Sequence, residues 1–206
     1  EMSDYTPAEP VTGAQVYFES AVNTDFTVNA VDTVFTVKLT RVQKDSAATV
    51  ALRAEAVVTE ADSVNTDSVR SAILNKFVFP SVATFAAGEA TTTISCVAKV
   101  DSMEFDTPYT VKLCIANEED ATLYGQSFVT LKVTCPAPWK SLGMGKFSEG
   151  FLGNAGEYFD VEIEQNELAP NQFRVVEPYA GILGDIAVDK YLYFNILSAG
   201  TEFAGN

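Results

Sequence analysis

Residues 33–58, TVFTVKLTRVQKDSAATVALRAEAVV, contain two alternating runs on either side of a polar turn. In TVFTVKLTR the apolar residues Phe35, Val37 and Leu39 occupy every second position. After the turn QKDSA, the segment ATVALRAEAVV (48–58) repeats the pattern. A period of two places one set of side chains in a core and the other in water, which is typical of a half-buried strand. Two such runs joined by a short polar turn predict a β-hairpin.

The same period recurs through the first two thirds of the chain. About seven short strands over roughly 120 residues, separated by turn residues, predict an antiparallel β-sandwich of the immunoglobulin-like type. The alternation argues against an α/β fold, because the buried parallel strands of that class have no polar face. Residues 59–75 break the rhythm and predict a loop with room for a short helix, since Val69, Ala72 and Ile73 share one helical face. The other strand segments are GAQVYFES (13–20), FVFPSVATF (77–85), TTTISCVAKV (91–100), PYTVKLCIA (108–116) and SFVTLKVTC (127–135).

A proline-bearing junction, CPAPW at 135–139, divides the chain. Beyond it, YFDVEIEQ (158–165) and QFRVVEPY (172–179) predict a second hairpin, and YLYFNIL (191–197) predicts a further strand. The glycine-rich GMGKFSEG (143–150) lacks the spacing of a phosphate-binding loop and is interpreted as a flexible turn. We therefore expect an all-β protein with an extended leader (1–12), a sandwich (13–135) and a small, mostly β C-terminal domain (136–206). This last domain either packs on the sandwich or continues past Asn206.

Composition excludes several classes of partner and of chemistry. The 206 residues carry 28 acidic and 13 basic side chains, a net charge of -15, which repels nucleic acids and anionic membranes. No apolar run approaches the roughly 20 residues that span a bilayer. Histidine is absent, and with it the commonest general base, the commonest zinc ligand and every Ser-His or Cys-His pair. We expect a protein that is not an enzyme and has no catalytic residues.

The three cysteines differ in the face of the strand that they occupy. Strand phase directs Cys96 and Cys135 into the core, where the two could meet, and places Cys114 on the solvent face with Thr110 and Lys112. An odd number of cysteines without C-x-x-C spacing predicts neither a zinc cage nor a disulfide framework. Buried free thiols are the favoured interpretation.

The second part of the chain contains an aromatic pair and the only tryptophan. Tyr191 and Tyr193 lie opposite the apolar face of their strand, which predicts two exposed rings side by side. Two roles stay open for these rings: stacking on a sugar or a protein partner, or being covered by the other domain or a further C-terminal segment, which we favour. Trp139 follows two prolines, and two roles stay open for it: filling the domain interface, which we favour, or forming part of a ligand platform.

The order of the strand and turn motifs between residues 30 and 135 resembles a Calx-β module. The segments are FTVKLTR (35–41), ATVAL (48–52), VATFAAGEATTTISC (82–96), DTPYTVKLCIANEEDATLYG (106–125) and FVTLKV (128–133). The positions that match the family pattern are Arg41, Phe85, Gly88, Ile94, Tyr109, Val111, Leu113 and Gly125. The resemblance implies a Calx-β-like sandwich that serves as a binding module.

The same resemblance implies Ca²⁺ as an alternative ligand. Calx-β modules of the calcium-sensing kind bind the ion at acidic loop ends, and the corresponding residues here are Asp101, Glu104, Asp106, Glu118, Glu119 and Asp120. A clamp would use Asp101, Asp106, Glu119 and Asp120. The simpler interpretation is two solvated loop tips, because a calcium site needs about six to eight oxygens and each tip supplies only three acids. No cofactor other than this calcium is expected, and no metal-binding residue is assigned.

The segments PWKSLGMGKFSEG (138–150) and QFRVVEPY (172–179) add a second resemblance, to secreted lipoproteins of Bacteroides-type bacteria of unknown function. It implies a lipoprotein at the outer-membrane surface or in the periplasm, with a protein or glycan ligand and no nucleic acid. Membrane contact would come only through an N-terminal lipid anchor that this chain lacks. The expected function is adhesion, scaffolding or ligand binding, with a Ca²⁺-binding module or a carbohydrate-binding accessory protein as alternatives.

Overall fold

The computed structural model describes residues 13–58, 66–150 and 156–196, so the leader 1–12 and residues 59–65 lie outside the described part. The chain divides into two compact units, Glu1–Pro136 and Ala137–Asn206. The strands of the first unit are β1 (Val16–Tyr17), β2 (Asp25–Thr27), β3 (Val34–Arg41), β4 (Ala48–Ala56), β5 (Phe77–Val78), β6 (Val82–Phe85), β7 (Thr91–Ala98), β8 (Pro108–Ile115) and β9 (Phe128–Thr134).

These nine strands form two sheets that enclose one core. The first sheet has the order β1-β3-β7-β5 and the second has the order β2-β9-β8-β4-β6. Every pair is antiparallel except β2 with β9, which run parallel. The prediction of an all-β sandwich is confirmed.

Alternating side chains build the core, as the period of two predicts. In β3, for example, Phe35, Val37 and Leu39 are buried while Val34, Thr36 and Lys38 are not. The core draws on both sheets, and each fully buried aliphatic or aromatic side chain contributes about 1.5–3 kcal/mol. Its largest fully buried members are Phe18, Phe85, Leu39, Ile94, Leu113 and Leu131.

The predicted hairpin between β3 and β4 is wrong, because the two strands belong to different sheets. β3 pairs with β1 and β7, whereas β4 pairs with β6 and β8. The turn between them is therefore a crossing from one sheet to the other. Arg41, at the end of β3, is only 4% exposed. Its guanidinium donates hydrogen bonds to the carbonyl oxygens of Ser46 (2.8 Å), Ala86 (2.7 Å) and Glu89 (2.7 Å).

The predicted short helix is present as α1 (Thr66–Leu74). Ile73 and Leu74, near its end, pack against the core of the sandwich. Among the described residues, no helix is long and apolar enough to span a bilayer.

The second unit contains one antiparallel sheet of four strands in the order β10-β11-β12-β13. A short helix, α2 (Ala180–Leu183), and a 3-10 turn (Gly184–Ala187) connect the last two strands. The predicted hairpin of this unit is confirmed, because β11 pairs antiparallel with β12. The strands are β10 (Trp139–Phe147), β11 (Phe159–Asn166), β12 (Gln172–Val176) and β13 (Tyr191–Asn195).

The sequence suggested that the glycine-rich segment is a flexible turn. This interpretation is wrong, because residues 143–147 continue strand β10. Its pairing with β11 contains a bulge between Ser141 and Gly143. Gly143 has a φ of 105°, a conformation that glycine adopts without strain. Gly145 leaves room for a neighbour, since a Cβ atom there would lie 2.5 Å from the Cδ1 atom of Ile163. The glycines therefore shape a strand.

Candidate ligand-binding site on the second sheet

The acidic loops that could have formed a calcium clamp lie at opposite ends of β8. Asp101 and Asp106 precede this strand and Glu119 and Asp120 follow it, so eight residues at about 3.3 Å each separate the two tips. Within the described residues, no group of three or more acidic or thiol side chains is arranged so that it could hold a metal ion. The Oδ1 atom of Asp120 instead accepts a hydrogen bond from the Ala14 amide at 3.3 Å. The two acidic tips are therefore separate from each other, and their interpretation as solvated loop tips stays a prediction.

All three cysteines are free and buried, which confirms the favoured interpretation. Burial raises the pKa of Cys96 to about 12 and also raises the pKa of Cys114 and Cys135. Cys114 does lie on the outer face of its sheet, but its predicted exposure is wrong, because only 3% of its surface is accessible. Arg53 and Phe128 stand directly opposite it on the two neighbouring strands and flank the thiol.

One face of the second unit's sheet combines aromatic and charged side chains. Alternation along β11 puts Glu162 and Glu164 on this face and the buried Val161 on the other. In the strand register Glu164 stands opposite Arg174, and Arg174 stands opposite Tyr193. Glu164, Arg174 and Tyr193 therefore form a row of side chains across β11, β12 and β13.

Arg174 lies at the centre of this face and is stacked between two rings. Its guanidinium carbon is 4.6 Å from the Trp139 ring centroid and 4.1 Å from that of Tyr191. Its Nε donates a hydrogen bond to Glu164, and the two side chains are only 15% and 17% exposed. Cation–π contacts contribute about 0.5–2 kcal/mol each, more as they lose water, so Arg174 fixes the positions of both rings.

The three rings form a continuous group, in which Trp139 is half-buried and the two tyrosines are exposed. The ring centroids of Trp139 and Tyr193 are 5.7 Å apart with planes at 59°, and those of Tyr191 and Tyr193 are 6.2 Å apart with planes at 48°. Tyr191 is 37% exposed and Tyr193 57% exposed. We call Trp139, Arg174, Tyr191 and Tyr193 the aromatic cluster. The two tyrosine rings thus lie side by side and are exposed among the described residues, whereas we favoured the interpretation that they are covered.

The second unit also has a cleft of about 360 Å³, which is lined by neighbours of the aromatic cluster in the strand register and not by the cluster itself. Val176 in its lining stands opposite Tyr191 in the register, and Glu162 stands opposite Val176. Pro178 and the start of α2 form another part of its lining. Three carboxylates, those of Asp160, Glu162 and Glu177, line the cleft and offer hydrogen-bond acceptors. We call this space the acidic cleft.

Sequence reasoning identified only part of this site. Alternation placed Tyr191 and Tyr193 on the same face of their strand, but Arg174 was not singled out. The signal was present, because Arg174 is the only basic residue in β12 and the predicted hairpin brings it opposite β11. Trp139 contacts Tyr193 and Arg174 within its own unit, and its role at a domain interface stays a prediction.

No protein-family model matches this chain, and no curated protein matches it. Among solved structures, it is similar to a Bacteroides ovatus protein of unknown function, with 13% identity and a TM-score of 0.42. That alignment covers 79% of this chain and 59% of the other. A second Bacteroides ovatus protein, to which carbohydrate binding is ascribed, shows 10% identity and a TM-score of 0.36, over 89% of this chain and 61% of the other.

The CBD12 region of CALX1.2 is also similar, with 13% identity and a TM-score of 0.42, over 79% of this chain and 78% of the other. This chain spans less than two thirds of the length of both Bacteroides ovatus proteins. At these identities and TM-scores, the similarities carry no argument about family, ligand or activity. The case for function therefore depends on the geometry of the second sheet.

Proposed function

We propose that this protein is a non-enzymatic binding module that holds a glycan on the aromatic cluster and in the acidic cleft. The observation that carries the proposal is a group of three adjoining rings on one sheet face, two of which, Trp139 and Tyr191, stack on Arg174. Exposed aromatic groups of this size mark binding surfaces more often than single apolar residues do. The absence of histidine from the sequence supports a role without catalysis.

A sugar suits this surface for a physical reason. A pyranose ring has a face of C–H groups, which packs on an aromatic ring, and a rim of hydroxyl groups, which need hydrogen-bond partners. The aromatic cluster supplies the first contact. The carboxylates of the acidic cleft and the tyrosine hydroxyls supply the second. Because Arg174 already holds the rings, binding costs little ordering of these side chains.

Trp139 provides a direct test, since it is the only tryptophan in the chain and belongs to the proposed site. A panel of soluble oligosaccharides and polysaccharides would be titrated into the full chain while the indole emission is recorded. We expect a saturable change in intensity or wavelength with at least one glycan. Tyr193→Ala should lower the affinity obtained from this titration about tenfold, because it removes the most exposed ring of the aromatic cluster.

The matched control is Tyr124→Ala, which removes a tyrosine that is 99% exposed in the first unit. It should leave the glycan response unchanged. A panel in which no glycan alters the emission, together with a negative glycan array, would refute the proposed function. A response that survives Tyr193→Ala would place binding elsewhere in the protein.

We further propose that the protein acts at the cell surface or in the periplasm, as a lipoprotein. The support is the resemblance of its domain order, and of segments 138–150 and 172–179, to secreted Bacteroides-type lipoproteins. Protease treatment of intact cells, followed by immunodetection, tests the location. Protection of the protein until the cells are lysed would argue against surface display.

A further inference from the structure

We infer that the ligand of this site is a soluble, uncharged glycan and that the site rejects glycans bearing carboxylate or sulfate groups. The inference rests on the proposed function and specifies the class of sugar. Three observations carry it: the state of Arg174, the charges around the rings, and the angles between the rings.

Arg174 is the cation closest to the rings, and it is already neutralised. Glu164 accepts its Nε–H, and Trp139 and Tyr191 are stacked against its guanidinium. An anionic sugar would have to displace Glu164 from a pair that is largely buried, which leaves one carboxylate without a partner. Arg174 therefore positions the rings and does not attract an anion.

The other charges near the rings are mostly negative. Asp160, Glu162 and Glu177 line the acidic cleft, and Lys146 is paired with Asp160. From residue 137 to 206 the sequence has ten Asp and Glu against four Lys and Arg. Repulsion between like charges acts over about 8 Å at physiological ionic strength, which is enough to exclude a uronic acid from the cleft. A neutral hydroxyl group, in contrast, donates to these carboxylates.

The angles between the rings bear on the physical form of the glycan. Planes tilted by 59° and 48° do not form a flat platform. The surface of a crystalline polysaccharide is flat and would contact one ring at a time. A single chain in solution turns along its length, so that successive sugars can face rings of different orientation.

The experiment is affinity electrophoresis of the full chain in native gels that contain one polysaccharide each. The neutral probes are xyloglucan, mixed-linkage β-glucan, galactomannan and pullulan, and the anionic probes are polygalacturonate, alginate and chondroitin sulfate. Sedimentation with crystalline cellulose tests the flat surface. Each gel is run at about 20 mM and at about 500 mM NaCl, because screening separates charge-driven from stacking-driven retention.

We expect at least one neutral polysaccharide to retard the protein equally at both salt concentrations. Tyr193→Ala should abolish this retardation, and Tyr124→Ala should not. Glu164→Gln should create weak, salt-sensitive retardation by polygalacturonate, because it leaves the charge of Arg174 without its partner. Gain of this kind would show that Glu164 sets the selectivity.

Two outcomes would overturn the inference and leave the proposed function intact. In the first outcome, an anionic polysaccharide retards the unaltered protein, and Tyr193→Ala abolishes this retardation. The other is sedimentation with crystalline cellulose, without retardation by any soluble neutral glycan. Absence of binding to every probe would overturn the proposed function and this inference together.

Discussion

Arg41 joins two loops of the sandwich through a single buried side chain. It donates to carbonyl groups in the crossing between β3 and β4 and in the turn between β6 and β7. Its guanidinium also lies 4.8 Å from the ring centroid of Phe85. A planar group with five N–H donors satisfies several carbonyls at once, which lysine cannot do.

Replacing Arg41 with Met should destabilise the protein by about 2–4 kcal/mol, because it leaves several partly buried carbonyls without donors. Arg41→Lys should recover only part of this loss. Urea unfolding of the full chain, followed by far-UV circular dichroism, measures the change. Lys44→Met is the control, since only the backbone of Lys44 contacts Arg41. Equal stability of the Met variant and the control would contradict this role for Arg41.

The thiols should be inert in the native protein. With a pKa of about 12, Cys96 has almost no thiolate at neutral pH. Burial also raises the pKa of Cys114 and of Cys135. Ellman's reagent at about pH 8 should therefore react with all three only after denaturant is added. Rapid labelling of a native thiol, assigned by mass spectrometry, would show that its burial is incomplete.

At the scale of the element, β10 shows how glycine is used inside a strand. The bulge between Ser141 and Gly143 shifts the register, and the positive φ of Gly143 makes the shift possible. Trp139 is the first residue of this strand and stands opposite Asn166, in the last position of β11. The bulge thus helps to set which β10 side chains share a face with Arg174.

Gly143→Ala should destabilise the second unit by about 1–2 kcal/mol. No atom lies within 4 Å of the added methyl group, so the cost comes from backbone strain alone. Trp139 fluorescence during urea unfolding reports on this unit. Leu142→Ala, which truncates a neighbouring side chain that is 55% exposed, should change stability by less than about 0.5 kcal/mol. A loss in Leu142→Ala as large as that in Gly143→Ala would refute the strain argument.

Most of the strands, and which way their side chains point, could be predicted from the sequence, because alternation is a local property; β2 and β10 were missed. The placement of Tyr191 and Tyr193 on one face followed from alternation directly. The partner of a strand is not a local property, and for this reason the β3–β4 hairpin was wrong while the β11–β12 hairpin was right. The predicted β11–β12 hairpin brings Arg174 opposite β11, but its contacts with Trp139 and Tyr191, which belong to two other strands, could not be predicted from the sequence.

At the scale of the whole molecule, the two units differ in how much they bury. The core of the first unit includes 23 buried residues between Val16 and Cys135. Among the described residues of the second unit, only Val161, Val175 and Ala187 are hydrophobic and buried. The sandwich therefore has the core that an independent domain requires, and the second unit has a much smaller one.

A chain that ends at Pro136 should fold by itself and unfold cooperatively in urea. Residues 137–206 alone should be less stable, because few apolar side chains leave water. Circular dichroism and the steepness of each urea transition measure the difference. A sandwich fragment that unfolds without a cooperative transition would show that its core depends on the rest of the chain.

Calcium should leave the melting temperature unchanged, because β8 separates the two acidic tips. A single site saturated at 100 times its Kd would add about 2.7 kcal/mol, which a thermal melt resolves easily. The measurement is differential scanning fluorimetry over a Ca²⁺ series, with Mg²⁺ as the control for general charge screening. A rise in Tm specific to Ca²⁺ would reveal a site that the described residues do not show.

The outer strands of the sheets also determine where chains could join edge to edge. In the sandwich these strands are two to four residues long, which is too short to recruit a strand from another molecule. In the described part of the second unit, by contrast, the outer strand β10 is nine residues long. Its bulge and its two lysines, Lys140 and Lys146, are features that protect exposed edges from fibril growth. Aggregation on heating would accordingly begin in the second unit, and removing these lysines would hasten it.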